Sequence, residues 1–366
     1  MRIQLRSLRR PRDEGAVAVI VAILSTILVL MAAFAVDLAN AYAVKRQLSV
    51  AADAAALDAA RAVATAESGG SPILGGGQGC STWTSAQRSA AQSAAQTAAN
   101  STNAANDLSS ESSVDSVTIT CVGDSRVEVE VNNSRELPVF FGGIASSTGY
   151  APKRSATAAV IPRLAIGGLR PYAACNSVVD AARASPGTTF VMDLDNKIGV
   201  CNSSVPGNWG IVDFDGGSNP TGDIEDWTEF GYPDPVSVSP PTIPGDPGAN
   251  LAPVQGELDV IIDQVVLFPV VSGYVAGTGG GSNGRFNVVG FVGAKVCAYY
   301  IDQTKYNYGS CYDAAKAAPY QAARPRVSFI QYQYVSYSTG YSGGGPTCNF
   351  SDPNCTYAVL SAQLYK

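Results

Sequence analysis

Hydrophobic and polar residues divide the chain into segments with different periods. Residues 16–36 (AVAVIVAILSTILVLMAAFAV) contain no charged residue, and Ser25 and Thr26 are their only hydroxyl side chains. At a rise of 1.5 Å per residue, a helix of about 20 residues crosses the roughly 30 Å of a bilayer core. The pattern therefore predicts a transmembrane helix over 15–36, preceded by a basic segment over 1–14.

Two interpretations of this apolar run remain open. Five arginines precede it, so the positive-inside rule places the N-terminus in the cytoplasm and everything after Asp37 outside. An uncleaved anchor fits its length, because the apolar core of a secretory signal is usually about 7–15 residues long. A cleaved signal fits Ala33-Phe34-Ala35, which has the small-x-small pattern of a cleavage site. The length favours a single-pass protein of the cell membrane with an extracytoplasmic C-terminal domain.

Helical character continues beyond the apolar run. Residues 37–66 contain neither Gly nor Pro and are rich in Ala, which predicts a helix continuous with the membrane segment. Residues at nearly helical spacing form a stripe that we interpret as a face for a partner helix. Its members are Leu38, Tyr42, Leu48, Ala52, Ala55, Ala59 and Val63. A second helix is predicted over 84–106, where Thr84 and Gln87 fit a capping box.

After this helix the hydrophobic period changes to two. Residues 117–121 and 127–131 alternate apolar and polar side chains across Gly123-Asp124, a pattern typical of a hairpin. Apolar runs at 137–141 and 155–161 supply two more strands. The pattern predicts a long helix with a small antiparallel sheet over 37–162.

The remainder, 163–366, is predicted to be a mainly β extracytoplasmic domain, so the fold class is α+β. Strands are expected at 188–193, 209–214, 264–275, 285–301, 325–337 and 356–365. A short helix near 222–230 ends at Gly231, and seven prolines within 232–253 predict a rigid, extended connector. The glycine-rich loop 277–284 lies between two strand-like runs, which predicts a long hairpin.

Composition excludes several classes of function. The chain of 366 residues contains no histidine, which excludes Ser-His-Asp and Cys-His catalysis and every His-ligated metal site. The net charge is −6, which argues against nucleic acid as a partner. The basic segment 1–14 carries a net +3, which leaves −9 for the rest and favours different compartments for the two parts.

Eight cysteines without a CxxC spacing predict disulfide bonds in an oxidising compartment. They are Cys80, Cys121, Cys175, Cys201, Cys297, Cys311, Cys348 and Cys355. Local pairing is the simplest arrangement, namely 80–121, 175–201, 297–311 and 348–355. A thiolate metal site is the alternative, although the usual zinc spacings are absent.

No set of residues forms a catalytic constellation. Residues 280–284 (GGSNG) match G-x-S-x-G, but they join two strand-like runs in a chain without histidine, so we interpret them as a loop. Asp193 follows an apolar run and could pair with Asp213 in a hydrolase of cell-wall glycans, a weak enzyme hypothesis. A cluster around Gly216-Gly217 offers weak calcium candidates: Asp213, Asp215, Asp223, Glu225 and Asp226. No cofactor is predicted.

The N-terminal segment resembles the TadE/TadG-like proteins of the Tad (Flp) pilus assembly system. The resemblance rests on Asp13-Glu14-Gly15-Ala16-Val17-Ala18, Val36-Asp37, Tyr42, Arg46-Gln47-Leu48 and Ala52-Asp53-Ala54-Ala55-Ala56-Leu57. LPVFFGG followed by SATAAV looks like the end of that family's first extracellular module, and 163–366 looks like a TadG-type extension. Pilin-like members carry a Glu five residues into the mature apolar segment. Residues 16–20 contain none, so the resemblance implies an uncleaved, TadG-like member.

The resemblance implies a non-enzymatic bacterial membrane protein that takes part in pilus assembly. Its partners would be the lipid bilayer and other Tad pilus or pilin-like proteins, contacted through the Ala-rich helix. The alternative is a surface adhesin, or a ligand-binding or calcium-binding β-domain, presented from a membrane anchor. The Tyr-rich stretch 332–345 and the acidic cluster would then be the working parts.

Overall fold

The computed structural model describes residues 14–106, 112–137, 150–194, 210–216, 221–238, 242–245, 251–275, 284–301, 305–322, 328–339 and 345–365. The helices in these ranges are α1 (Glu14–Ala64), α2 (Ser85–Asn106), α3 (Asn176–Ala184), α4 (Thr221–Glu229), α5 (Gln255–Ile261) and α6 (Ala314–Ala322). The first strands are β1 (Glu67–Ser68), β2 (Ser71–Pro72), β3 (Ser112–Val122), β4 (Arg126–Arg135), β5 (Lys153–Arg163), β6 (Ala165–Ile166), β7 (Ala174–Cys175) and β8 (Thr189–Asp193). The later strands are β9 (Val236–Ser237), β10 (Thr242–Pro244), β11 (Val265–Val275), β12 (Arg285–Ile301), β13 (Lys305–Tyr308), β14 (Phe329–Tyr334), β15 (Ser338–Thr339) and β16 (Val359–Tyr365).

The first sheet has five strands in the order β15-β16-β5-β4-β3. β3 and β4 form the predicted hairpin, with Val117 opposite Val131 and a turn in which Gly123 has a φ of 56°. The C-terminal half of α1 and the whole of α2 pack on this sheet, because small alanines on both helices meet the valines of the strands. Buried residues of this core include Ala55, Ala59, Ala91, Ala95, Val127, Val129, Ala158 and Val160.

The second sheet has seven strands, with the order β7-β11-β12-β14-β8 and with β10 and β13 also paired to β12. β11 and β12 form the predicted long antiparallel hairpin. Its core contains large rings, including Tyr172, Phe268, Tyr299 and Tyr332. The predicted α+β class is therefore confirmed: a long apolar helix is followed by a second helix and by mainly antiparallel sheets.

Disulfides tie the outer parts of both sheets. Cys80 pairs with Cys121, Cys297 with Cys311 and Cys348 with Cys355, at Cα–Cα distances of 5.8, 4.8 and 5.9 Å. These are the pairs that local pairing predicts. Cys201, the predicted partner of Cys175, lies outside the described residues.

The last strand of the chain is shared with the first sheet. β16 pairs along its whole length with β5, so that Val359 lies opposite Arg163 and Tyr365 opposite Thr157. The predicted domain boundary at residue 162 stays a prediction. β5 runs up to and across this boundary, and β16, from the far end of the chain, returns to pair with it. Local periodicity does not report such pairing, because strands so far apart in sequence leave no local signature.

The proline-rich stretch differs from the connector that its composition predicts. Val236 and Ile243 are buried, and β10 is hydrogen-bonded to β12 with Thr242 opposite Asn287. Proline is tolerated in short edge strands because it needs no partner for a backbone N–H. Two other predicted strands are only partly seen: Leu137 and Ile211 form single bridges, while 138–141 and 209 lie outside the described residues.

Candidate functional site

The helix α1 has two halves with different surroundings. Over 17–43, here called the protruding segment, nearly all large side chains are exposed, whereas Val44 and Leu48 are buried against Leu137. α1 is the helix among the described residues that is long and apolar enough to cross a membrane. A predicted rod of about 50 residues is observed as one uninterrupted helix of 51 residues.

The predicted partner-helix face is divided between these two halves. Leu38 and Tyr42 are 59% and 72% exposed, in agreement with a face open to a partner. Ala52, Ala55 and Ala59 are instead buried by the chain's own α2 and first sheet, and Leu48 is buried against Leu137. A partner contact through these residues stays a prediction, and in this structure an intramolecular element occupies the stripe, because small residues allow close approach by any neighbouring element.

Polar contacts lock the second half of α1 to its neighbours. Asp58 accepts a hydrogen bond from the Arg61 Nη1 at 3.0 Å and another from the Thr102 Oγ1 of α2 at 2.7 Å. The buried Asn133 of β4 donates from its Nδ2 to the Asn103 Oδ1 at 2.8 Å. These bonds connect α1 to α2 and α2 to the sheet, so the protruding segment extends from a fixed base.

A groove lies where the protruding segment meets the first sheet. Phe34, Leu38 and Tyr42 line one side, and Leu137 and Tyr150 line the other, around a volume of about 380 Å³. The backbone N–H of Leu137 donates to the Tyr150 carbonyl at 2.9 Å, which fixes these two walls relative to each other. Residues 138–149, which connect them, lie outside the described residues.

The similarity of this chain to known proteins lies in α1. A family model, the TadE/G-like Flp pilus-assembly family, matches residues 15–62. These matched residues, 15–62, are called the TadE/G-like segment below. No curated protein and no solved structure was found to match the chain at a significant level. The match supports involvement in Flp pilus assembly, and the matched family is one of pilus-assembly components, not a known family of enzymes.

The TadE/G-like segment covers α1 almost to its end. It includes the protruding segment and the alanines that pack on the first sheet, so the family signature contains both the exposed and the buried half. The predicted resemblance is thereby confirmed for the N-terminal part of the chain. The groove described above is bordered on one side by this segment.

The five predicted calcium ligands do not form one group, although Asp213 and Asp215 are neighbours. Asp213 is buried, and its Oδ1 accepts a hydrogen bond from the backbone N–H of Gly216 at 2.8 Å. Burial raises its pKa to about 6, and the neighbouring Asp215 adds to the rise. Asp223, Glu225 and Asp226 lie on α4, and among the described residues no three acidic or cysteine side chains form a group that could hold a metal ion.

The other sequence candidates show no shared site. Asp193 ends β8, where it lies opposite Phe329 of β14, and Asp213 is on a separate segment. In the G-x-S-x-G match, Gly284 is described and residues 280–283 lie outside the described residues. Tyr332 of the Tyr-rich stretch is buried in the core of the second sheet.

A row of tyrosines on β13 was missed by the sequence reasoning. Tyr306 and Tyr308 are exposed, and their ring centroids are 5.3 Å apart. Tyr308 stacks on Tyr312 with ring centroids 4.1 Å apart, and the Tyr306 ring lies 6.1 Å from that of Tyr300. The signal was present in Lys305–Tyr308 (KYNY), where a spacing of two residues puts both rings on one side of a strand.

Basic residues lie beside the groove, and Lys45 is part of its lining. Lys45 and Arg46 are exposed on α1, and the Arg135 Nη1 at the end of β4 donates to the Gln47 Oε1 at 3.5 Å. Lys153 at the start of β5 forms an ion pair with Asp115 at 3.5 Å. The sequence did not indicate that Arg46 shares a surface with Arg135 and Lys153, because these residues become neighbours only when the strands turn back towards α1.

Proposed function

We propose that this chain is a non-enzymatic, single-pass membrane component of Tad (Flp) pilus assembly. The supporting observation is that the TadE/G-like segment coincides with a helix whose first half is apolar and exposed while its second half is fixed to a folded sheet. The N-terminus lies in the cytoplasm, since five arginines precede the helix, and the sheets lie outside.

In this function the protruding segment is the contact surface. Phe34, Leu38 and Tyr42 follow one another at a spacing of four, so they lie on one face of α1, and all three are exposed. Phe34 lies within the membrane span, where helices associate through packing rather than through the hydrophobic effect, and Leu38 and Tyr42 continue the same face just beyond it. Because the second half of α1 is fixed to the first sheet, a pilin-like helix that packs on the protruding segment is held at a defined position relative to the sheets.

The test is complementation of a deletion strain. We expect loss of surface filaments on deletion, counted by electron microscopy, and recovery with the wild-type chain. Leu38→Glu should insert normally but fail to restore filaments or to co-purify with other pilus components. Val50→Glu is the matched control, because Val50 is also 59% exposed on α1 but lies beyond the protruding segment, in the half that packs on the first sheet.

Filaments that remain normal with Leu38→Glu would contradict the proposed contact face. Normal filaments in the deletion strain itself would contradict the assembly function altogether. A strain with normal filaments and lost adhesion would support the alternative of a surface adhesin. The exposed pair Tyr306 and Tyr308 favours this alternative, and Tyr306→Ser with Tyr308→Ser should then abolish adhesion while filaments persist.

A further inference from the structure

We propose that the membrane-proximal end of the first sheet binds anionic phospholipid headgroups of the leaflet from which α1 emerges. The binding surface, here called the basic collar, consists of Lys45, Arg46 and Arg135, with Tyr42 and Tyr150 beside them. This inference rests on the proposed function only in that α1 crosses the bilayer. It adds a second, lipid-specific contact made by the folded part of the chain.

The position of the collar along α1 lets its charged side-chain ends reach the headgroup layer. Lys45 lies nine positions beyond Val36, the end of the apolar run, which corresponds to about 13 Å of helix. The headgroup region extends roughly 5–8 Å beyond the hydrocarbon core on each side. Lysine and arginine place their charged ends several ångströms from the backbone and direct them towards a membrane surface, so these groups reach the phosphates.

A second element brings charge to the same level. The Arg135 guanidinium at the end of β4 is within hydrogen-bonding distance of Gln47, which directly follows Arg46. The described charged residues around this end of the sheet are basic Lys45, Arg46, Arg135, Lys153 and Arg154 and acidic Asp37, Asp115 and Glu136. Basic residues therefore predominate here, whereas the chain after residue 14 carries −9 overall.

Tyrosines border the collar on the side of the bilayer. Tyr42 precedes Lys45 by one helical turn, and Tyr150 lies across the groove from it at the start of the segment leading to β5. Both are exposed, and tyrosine is enriched where an apolar ring and a polar hydroxyl meet a membrane interface.

The experiment uses the full chain in phosphatidylcholine bilayers containing a trace of spin-labelled lipid. The fraction of motionally restricted label is measured for phosphatidylglycerol and for phosphatidylcholine, and their ratio gives the preference for the anionic lipid. We expect a preference for phosphatidylglycerol that falls at least about twofold in Lys45→Gln with Arg46→Gln, because each basic residue near the surface attracts anionic lipid. Salt at high concentration should weaken the same preference.

The matched control is Arg88→Gln with Lys316→Gln, which removes two exposed positive charges elsewhere on the described surface and should leave the preference unchanged. The N-terminal arginines are the same in every variant, so their contribution cancels. An unchanged preference in the collar variant, with the protein still resistant to alkaline extraction, would overturn this inference alone. A wild-type chain that alkaline extraction removes from the bilayer would overturn the membrane anchor of the proposed function as well.

Discussion

At the scale of single residues, the burial of Asp213 makes the stability of the fold depend on pH. Its pKa is raised from 3.8 to about 6, first by burial and then by the nearby Asp215. The folded state therefore holds this proton more tightly than the unfolded state, so stability falls as pH rises from about 4 to about 6. We expect Asp213→Asn to remove this dependence and to raise the free energy of unfolding at pH 7 by about 1–3 kcal/mol. Denaturant titrations of the wild-type chain and of Asp213→Asn at pH 4 and pH 7 measure these free energies of unfolding.

The control for this prediction is Asp223→Asn on α4, which should leave the pH dependence unchanged. Lower stability of Asp213→Asn at pH 7, together with loss of a calcium-induced rise in the unfolding midpoint, would contradict the prediction and revive the calcium hypothesis.

The sequence identifies Asp213 and Asp215 as close neighbours from their spacing alone. The predicted helix near 222–230 also places the other three acids on an element of their own. How that helix packs relative to Asp213 could not be predicted, because it is set by tertiary contacts.

At the scale of elements, the alanine face of α1 fixes its distance from the sheet. Ala55 is completely buried within the core formed by α1, α2 and the first sheet. A larger side chain at such a site forces strain on its neighbours, so we expect Ala55→Leu to lower the free energy of unfolding by about 1–3 kcal/mol. Val50→Leu on the exposed side of the same helix should change it by less than about 0.5 kcal/mol. Thermal unfolding in detergent micelles compares the two.

The contrary result would restore the original interpretation of the stripe. If Ala55→Leu leaves stability unchanged but abolishes co-purification with pilus components, the alanine face is an intermolecular interface.

The stripe shows what the sequence could and could not predict. Its spacing correctly predicts a helix and a packed face, and the capping box is observed, with the Thr84 N–H donating to the Gln87 Oε1 at 2.8 Å. The local sequence does not indicate whether the alanine face of α1 is covered by the chain's own α2 and first sheet or by a partner helix.

At the scale of the whole molecule, the C-terminal segment joins the two sheets. Tyr357 bridges Gly290 of β12, and its carbonyl accepts a hydrogen bond from the Phe291 N–H at 2.7 Å. The chain then enters β16 at Val359, which pairs with β5 of the first sheet. The predicted hairpins are formed by neighbours in sequence, so alternation sufficed to find them. The pairing of β16 with β5 joins two strands that are separated in sequence by the whole second sheet. Only the structure shows this pairing, because it is a contact between residues far apart in sequence.

This shared segment predicts that the two sheets unfold together. Leu360 on β16 is 6% exposed and belongs to the core around α1, whereas Leu364 on the same strand is 42% exposed. We expect Leu360→Ala to lower the free energy of unfolding by about 2–5 kcal/mol, and Leu364→Ala to lower it by about 1 kcal/mol or less. Hydrogen exchange should accelerate to a similar extent in β4–β5 and in β11–β12 for Leu360→Ala. Acceleration confined to β4–β5 would show instead that the sheets are independent units, joined but not coupled by the strand they share.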